Sequence, residues 1–521
     1  MPKEKETRTK GLGRTENVTR NILWATINQF STILLSLISR KIFLSILGAE
    51  LLGANSLFAD VFSLFSFADL GFGTAVVFSL YKPIAENDTD RIQSLLKYYR
   101  TIYRYVIIVL IAIGAAFIPF LPTLKTTIPL DQLTFYYILY QINCVIGYVC
   151  AYRETYIGAC QQNRKISKFG ILFTALQIIL QIIVVKLTAS YSLYVITALA
   201  VAVVRKTVVN LYIIKHFPES KVSQAAPLPK EERKSVFTSA KAVLVHRLGN
   251  LAINQTDSLI VSAFISVTEW GLMSNYLVLK TAVSRLMDSV YCSILPSMGN
   301  LVASEGESKQ ISVFRKYDLL NFWFYLFCYV ALGNLSSAFI GLYFGKQYIL
   351  NELTVFIFFT AFLFDGLRSP VSAMREANGT FRTDQWYTIL AAVVNLVVSI
   401  ILVQFMGLNG VYIGTCCAMA VLHITRTNKL LKNWKGYRPI SYLLDILTHI
   451  LLAVAVYGVV LFIRNRLIYQ LDSEIIGFIL TGFIALIIPN VIFILLYRKD
   501  ERFGEIMVTI KSKINRRKQK E

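Results

Sequence analysis

Several stretches of this chain carry side chains that apolar segments seldom keep. His246, Asn250 and Asp257 fall on one stripe when projected at about 100° per residue, with Asn254 on the flank. Asn21, Asn28, Thr32 and Ser39 make a second such stripe. Amides and hydroxyls arranged this way can hydrogen-bond a hydroxylated ligand, and His246 and Asp257 can also exchange a proton, which makes them the candidates for ion coupling. Five cations, Arg40, Lys41, Arg247, Lys280 and Arg285, add the means to pair a phosphate-like anion. Arg40, Lys41, Arg247 and Lys280 have no obvious partner at helical spacing. Arg285 stands three residues before Asp288, as Asp365 does before Arg368, so local ion pairing is the plainer account of those two. Asp60 and Asp69 are further ionisable groups in an apolar stretch, whereas Arg153 and Glu154 fit an interfacial position. The competing account of both stripes is helix–helix adhesion, which Asn and Ser alone would satisfy but His246, Arg247 and Asp257 would not.

These residues lie in a chain built for a bilayer. Of its 521 residues, 55% are hydrophobic and 16% charged, with a mean hydropathy of +0.55, which excludes a soluble globular protein of this size. Fourteen apolar runs, from about 21–47 to 474–497, are long enough to cross a hydrocarbon core of about 30 Å. The expected fold is therefore all-α and polytopic. A net charge of +22 would point to nucleic acid in a soluble protein, but here the cations alternate with the loops. Among the loop and tail cations only Lys125, Lys186, Lys346, Arg464 and Arg466 fall on one side, against many on the side of the termini. This asymmetry predicts cytoplasmic N- and C-termini, and no nucleic-acid partner is expected. The first apolar run is too long for a cleavable signal.

The chain also repeats itself at an offset of 218 residues. Gly53 meets Gly271, Ser56 meets Ser274, Tyr99 meets Tyr317, Ala159 meets Ala377 and Arg164 meets Arg382. Tyr194, Thr197 and Asn210 likewise meet Tyr412, Thr415 and Asn428. Each repeat holds six helices, an even number, so the two halves share one topology and face each other across an axis along the membrane normal. The predicted organisation is a first lobe over 1–215, a Pro-rich charged linker over 216–235 and a second lobe over 236–432. Two further helices follow over 433–498, then a basic tail over 499–521. In the tail, Phe503, Ile506, Met507, Ile510 and Ile514 keep helical spacing, as in an amphipathic helix lying on an anionic leaflet or a solvated tail. The offset maps Asn28, Thr32 and Ser39 onto His246, Asn250 and Asp257, so both stripes border the central axis.

Other chemistries find little support. Gly341 to Lys346 has the wrong spacing for a phosphate loop, so no ATPase is expected. Four scattered histidines and seven cysteines within apolar segments offer no metal site. Glu86, Asp88 and Asp90 fit a solvated turn rather than a catalytic cluster. No cofactor and no catalytic residue are assigned, and the chain is not read as an enzyme.

The run Leu47-Gly48-Ala49-Glu50-Leu51-Leu52-Gly53, then Phe67-Ala68-Asp69-Leu70-Gly71-Phe72-Gly73 and Ala85-Glu86, resembles the N-terminal signature of bacterial polysaccharide flippases. These are the Wzx-like proteins of O-antigen and capsule biosynthesis, in the polysaccharide transport family. Their superfamily also holds multidrug extruders and the lipid II flippase. Helices thirteen and fourteen are similar to the extra pair of the lipid II flippase subgroup, which forms a lipid-facing groove. The resemblance implies a cytoplasmic-membrane transporter that moves an undecaprenyl-pyrophosphate-linked oligosaccharide between leaflets by alternating access. Candidate partners are a polysaccharide polymerase and glycosyltransferases. Two alternatives remain open at this point: a multidrug or cation extruder of the same fold, and a non-transporting scaffold of a polysaccharide-assembly complex.

Overall fold

The computed structural model describes residues 14–65, 72–222, 226–379, 385–432, 434–435, 437–468 and 473–518. Among them every regular element is helical. The first half comprises α1 (Arg14–Phe65), α2 (Phe72–Glu86), α3 (Thr89–Phe117), α4 (Leu130–Tyr148), α5 (Ala151–Ala159), α6 (Asn163–Thr188) and α7 (Tyr191–His216). The second comprises α8 (Lys230–Phe264), α9 (Val267–Ser304), α10 (Glu307–Tyr343), α11 (Glu352–Leu367), α12 (Ser369–Ala377), α13 (Gln385–Met406) and α14 (Leu408–Leu431). The chain ends in α15 (Pro439–Ile463), α16 (Glu474–Tyr497) and α17 (Glu501–Lys518).

Helix α1 is two arms rather than one rod. Gly48, at φ 83 and ψ 176, leaves the helical region, and only glycine tolerates that conformation without strain. Ile33, Ser36 and Arg40 of the first arm share a cavity with Asn55, Ser56 and Asp60 of the second. A straight helix would hold Ile33 and Asp60 about 40 Å apart, so the arms must run antiparallel. Ten described helices are long and apolar enough to cross a membrane, or eleven with the bent pair α4–α5. Separating the arms of α1 and adding α8 and α9, whose charged residues lower their hydropathy, gives the fourteen crossings expected.

The 218-residue offset reappears in the element boundaries. Residues 49–86, from the turn at Gly48 to the end of α2, correspond to Val267–Ser304 of α9. Helices α3 and α10 begin at the matched positions Thr89 and Glu307. The fourth crossing breaks by 42° between α4 and α5. Its counterpart breaks between α11 and α12 at the matched position, so that α5 and α12 begin and end in register. The break needs no shared residue: Cys150 adopts a left-handed φ of 62, while Pro370 occupies the start of α12.

Two stretches differ from expectation. The described residues of the segment assigned to a linker are packed in part. Helix α8 already starts at Lys230, and Val222, Leu228 and Val236 are buried in a cluster with Leu95, Tyr99 and Tyr156. Arg91 pairs with Glu232, and Tyr98 donates to the carbonyl of Arg233. The apolar face of the tail helix is also already occupied in part. Phe503 and Ile506 of α17 are buried against the protein, with the Phe503 ring 5.9 Å from Trp323 and 6.0 Å from Phe493. That part of the face therefore docks on α10 and α16, whereas the side chains of Ile510 and Ile514 lie outside the described residues.

Two of the five cations expected on the sparse side pair with carboxylates and a third donates to a carbonyl. Arg464 pairs with Glu352 and donates to the carbonyl of Asn334 at 3.1 Å, while Lys346 pairs with Glu474. Lys125 donates from Nζ to the carbonyl of Phe264 at 2.5 Å. On the other side Asp88 caps α3 by accepting from the Arg91 N–H at 2.9 Å, which accounts for the acidic turn at Glu86, Asp88 and Asp90.

Candidate functional site between the two halves

The second arm of α1 and helix α9 lie side by side, and the first arm closes over them. At the end away from the termini the halves are stitched together. The Lys125 N–H donates to the carbonyl of Ser262 at 3.0 Å, and the Val267 N–H donates to the carbonyl of Lys125 at 2.9 Å. Glu50 holds the same loop by accepting from the Thr126 hydroxyl at 2.7 Å and from the N–H and hydroxyl of Thr127 at 2.6 Å each. Arg40, eight residues from the turn, and Arg285, eighteen residues along α9 from Val267, then lie deeper, on the side of the termini.

Three cavities adjoin one another below this closure. The first, about 330 Å³, is lined by Arg40, Asn55, Ser56, Asp60 and Arg285. The second, about 270 Å³, is lined by Asp60, Asp257, Lys280, Asp365, Tyr412 and Thr415. Asp60 and Trp270 belong to both. The third, about 390 Å³, lies between α9, α10 and the α11–α12 break, and shares Asp365 with the second.

Arg40 reaches from the first half into the second. Its Nε donates to Asn275 Oδ1 at 2.7 Å and its Nη2 donates to the hydroxyl of Ser274. Among the described residues these two bonds leave three of its five N–H donors unused by the inventory of a guanidinium. Lys280 lies in electrostatic reach of both Asp257 and Asp365, with its Nζ 5.5 Å from the Phe358 ring. Asp257 is buried; Oδ2 accepts from Thr415 at 3.2 Å, while Oδ1 has no hydrogen-bond partner among the described residues. The chain of bonds continues from Asn395 Nδ2 to Thr415 at 3.1 Å and from Thr256 to Asn395 at 3.2 Å. Tyr194 stands beside Arg40 and its repeat counterpart Tyr412 beside Asp257, so equivalent tyrosines flank a cation in one half and a carboxylate in the other.

The expected residues divide accordingly. Arg40, Asp257, Lys280 and Arg285 are all on cavity walls. Lys41 is not: it is exposed, with Nζ 4.7 Å from the Tyr343 ring, because a helix that turns Arg40 inward rotates its neighbour by about 100°. Lys41 therefore leaves the candidate anion site. Ser39 is half-buried and lines none of the three cavities. The side chains of Asn28, Thr32, His246, Arg247 and Asn250 lie outside the described residues.

Charge pairing also differs from the reading by spacing. Asp365 and Arg368 do pair, as their spacing predicts. Arg285 and Asp288 do not; Arg285 lines the first cavity and Asp288 the third. Among the described residues the walls of the three cavities carry four cations (Arg40, Lys280, Arg285, Arg368) and five carboxylates (Asp60, Asp257, Asp288, Asp365, Glu376). Cations outnumber carboxylates only in the first cavity. Trp270, Asn395 and Thr415 escaped notice as site residues, although Thr415 was visible as the repeat counterpart of Thr197.

The architecture has solved counterparts. A lipid II flippase MurJ in an inward closed conformation superposes with a TM-score of 0.67 at 15% identity, covering 92% of this chain and 99% of that one. An inward-facing multidrug resistance MATE family transporter superposes with a TM-score of 0.59 at 15% identity, covering 77% and 96%. At such identities the likeness is one of fold. No curated protein sequence matches the chain. A family model described as polysaccharide biosynthesis protein matches residues 18–302, more than half of the length, and the chain therefore belongs to that family.

Proposed function

We propose that this protein moves an undecaprenyl-pyrophosphate-linked oligosaccharide from the inner to the outer leaflet of the bacterial cytoplasmic membrane, with both termini in the cytoplasm. The observation that carries the reading is the pair Arg40 and Arg285 on the wall of one cavity at the seam between the halves. A pyrophosphate leaving water must exchange its hydration for charge-assisted hydrogen bonds, and guanidinium groups with unused donors supply them. The seam is closed by the loop at Lys125 on the far side, so the cavity stands on the side of the termini, as a state ready to receive substrate there would require. Alternating access then means breaking the Lys125 contacts to Ser262, Phe264 and Val267 and closing the opposite end. No phosphate-loop motif is present in the sequence, so an ion gradient is the driving force, and Asp257 with its unsatisfied oxygen is the coupling group, with His246 on the same helix as the other candidate.

The carboxylates of the second cavity favour one rival, a cation extruder of the same fold. The two separate in a strain deprived of its own flippase. Arg40→Ala with Arg285→Ala should abolish surface polysaccharide at unchanged protein level. Full output from that double variant, or a protein that confers only tolerance to cationic dyes, overturns the proposal.

A further inference from the structure

The third cavity is unlike the other two. Its wall combines four aromatic side chains, Tyr291, Tyr317, Phe324 and Tyr325, with the carboxylates Asp288, Asp365 and Glu376. Two of those carboxylates are engaged, Asp365 by Arg368 and Glu376 by Arg375 at 3.2 Å. Asp288 makes no direct ion pair among the described residues, Arg285 being only within electrostatic reach, and it is exposed. Arg368 Nε is buried with no hydrogen-bond partner among the described residues, while the Tyr291 hydroxyl faces the Glu376 carboxylate. An open carboxylate and a spare guanidinium N–H thus stand on the wall of a largely apolar cavity of about 390 Å³.

Unpartnered polar groups at a cavity wall call for a ligand that carries both donors and acceptors. Aromatic walls call for one that also has an apolar face. A pyranose answers both: its C–H face packs on a ring, while its rim of hydroxyls donates to carboxylates and accepts from guanidinium. The walls also limit which sugar. With Asp365 and Glu376 neutralised by Arg368 and Arg375, Asp288 leaves one net negative charge, so a uronic acid would meet like charge in a partly desolvated site, whereas a neutral hexose or N-acetylhexosamine would not.

Position links this cavity to the anion site. Arg285 and Asp288 are three residues apart on α9, a rise of about 4.5 Å, yet face different cavities. Asp365 joins the third cavity to the second, and Asp60 joins the second to the first. From these relations we infer that the cavity between α9, α10 and α12 is a sugar subsite that accepts neutral pyranoses and rejects uronic acids, next to the Arg40 and Arg285 site. This inference rests on the function proposed above.

The test uses the full chain in lipid nanodiscs and three probes. They are bare undecaprenyl pyrophosphate, the same lipid bearing a neutral N-acetylglucosamine–galactose disaccharide, and the lipid bearing N-acetylglucosamine–galacturonate. The neutral probe should bind about tenfold more tightly than the bare lipid, a gain of about 1.4 kcal/mol. The galacturonate probe should gain nothing. Phe324→Leu should erase the gain and Asp288→Asn should let the galacturonate probe approach the neutral one; both side chains are exposed, and melting curves verify that the variants fold. Equal affinity for neutral and bare lipid, with bare-lipid binding still lost in Arg40→Ala, overturns the sugar subsite and leaves the flippase reading standing. Failure of the bare lipid and both sugar probes to bind overturns the flippase reading, and the subsite with it.

Discussion

Gly53 and Gly271, equivalent positions of the two repeats, face each other across the seam. A methyl group on Gly53 would overlap the carbonyl oxygen of Val267, and one on Gly271 would overlap that of Ala49. Val267 and Ala49 are themselves 218 residues apart, so the contact is self-complementary, as in an isologous interface of two subunits. The duplicated chain has kept a dimer-like axis in which the backbones of α1 and α9 approach as only glycine allows.

Replacing either glycine by alanine should therefore lower the melting temperature of the detergent-solubilised protein. The obstruction is backbone, not a side chain that can swing away, and overpacking of this kind costs about 1–3 kcal/mol. Gly299→Ala, at a helical glycine with open space around it, serves as the control and should leave the melting temperature unchanged or raise it. Equal behaviour of all three variants would remove the axis contact from the account of stability.

Gly48 tests a different cause. Nothing lies within 4 Å of a methyl group placed there, yet φ is 83 and ψ 176. Gly48→Ala should still destabilise by about 1–3 kcal/mol, entirely through backbone strain at the turn between the first two crossings. An unchanged melting temperature would mean that the turn relaxes into another conformation.

The membrane plan was legible because each of its signals is carried by many residues: fourteen apolar runs, a one-sided distribution of cations and a repeat in register. The broken fourth and tenth crossings were less so, since Cys150 and Pro370 break them by unrelated means. The site was legible only where it is charged. Arg40, Asp257, Lys280 and Arg285 stand out in apolar helices, whereas Thr415 and Asn395 are ordinary residues of membrane segments until Asp257 is placed against them. Helical spacing alone could not orient Lys41 against Arg40, nor reveal that Arg285 and Asp288 enter different cavities. Rotation about a helix axis is set by packing against neighbouring helices, and Ser274 and Asn275 are what settle it for Arg40.

That rotation has a direct consequence. Arg40→Ala should abolish polysaccharide output in the flippase-deficient strain, because the buried guanidinium both ties the halves and lines the anion cavity. Lys41→Ala should retain output within about twofold of wild type, since an exposed cation beside Tyr343 contributes little. Loss of output in both variants would place Lys41 back in the site.

The loop that closes the seam is anchored to its own half by a few identifiable bonds. Glu50→Ala removes the acceptor of three hydrogen bonds from Thr126 and Thr127. Hydrogen bonds to a charged group contribute about 1.5–3 kcal/mol each, so amide exchange at Thr127 should accelerate at least tenfold. Lys125→Ala keeps both backbone bonds to Ser262 and Val267 and should change exchange there far less. Equal protection in Glu50→Ala and wild type would show that the loop is held by packing rather than by its carboxylate.

The docked tail gives a prediction in pH. Arg502 donates to Asp500 through Nε at 2.9 Å and Nη2 at 2.6 Å, and its backbone N–H adds a bond at 2.8 Å. These bonds hold the Asp500 carboxyl below its ordinary range. A carboxylate whose folded value is depressed stabilises the folded state fully above its unfolded value of about 3.9 and loses that contribution as pH falls through the lower one. Docking of α17 should therefore be insensitive to this pair between pH 5 and pH 8, roughly, and weaken only below about pH 4. Trp323, stacked on Phe493 at 4.9 Å and touching Phe503, reports the docking by its fluorescence. In Asp500→Asn the acid transition in that signal should diminish, and an undiminished transition would assign it to another carboxylate, with Asp445 the nearest alternative around Arg502.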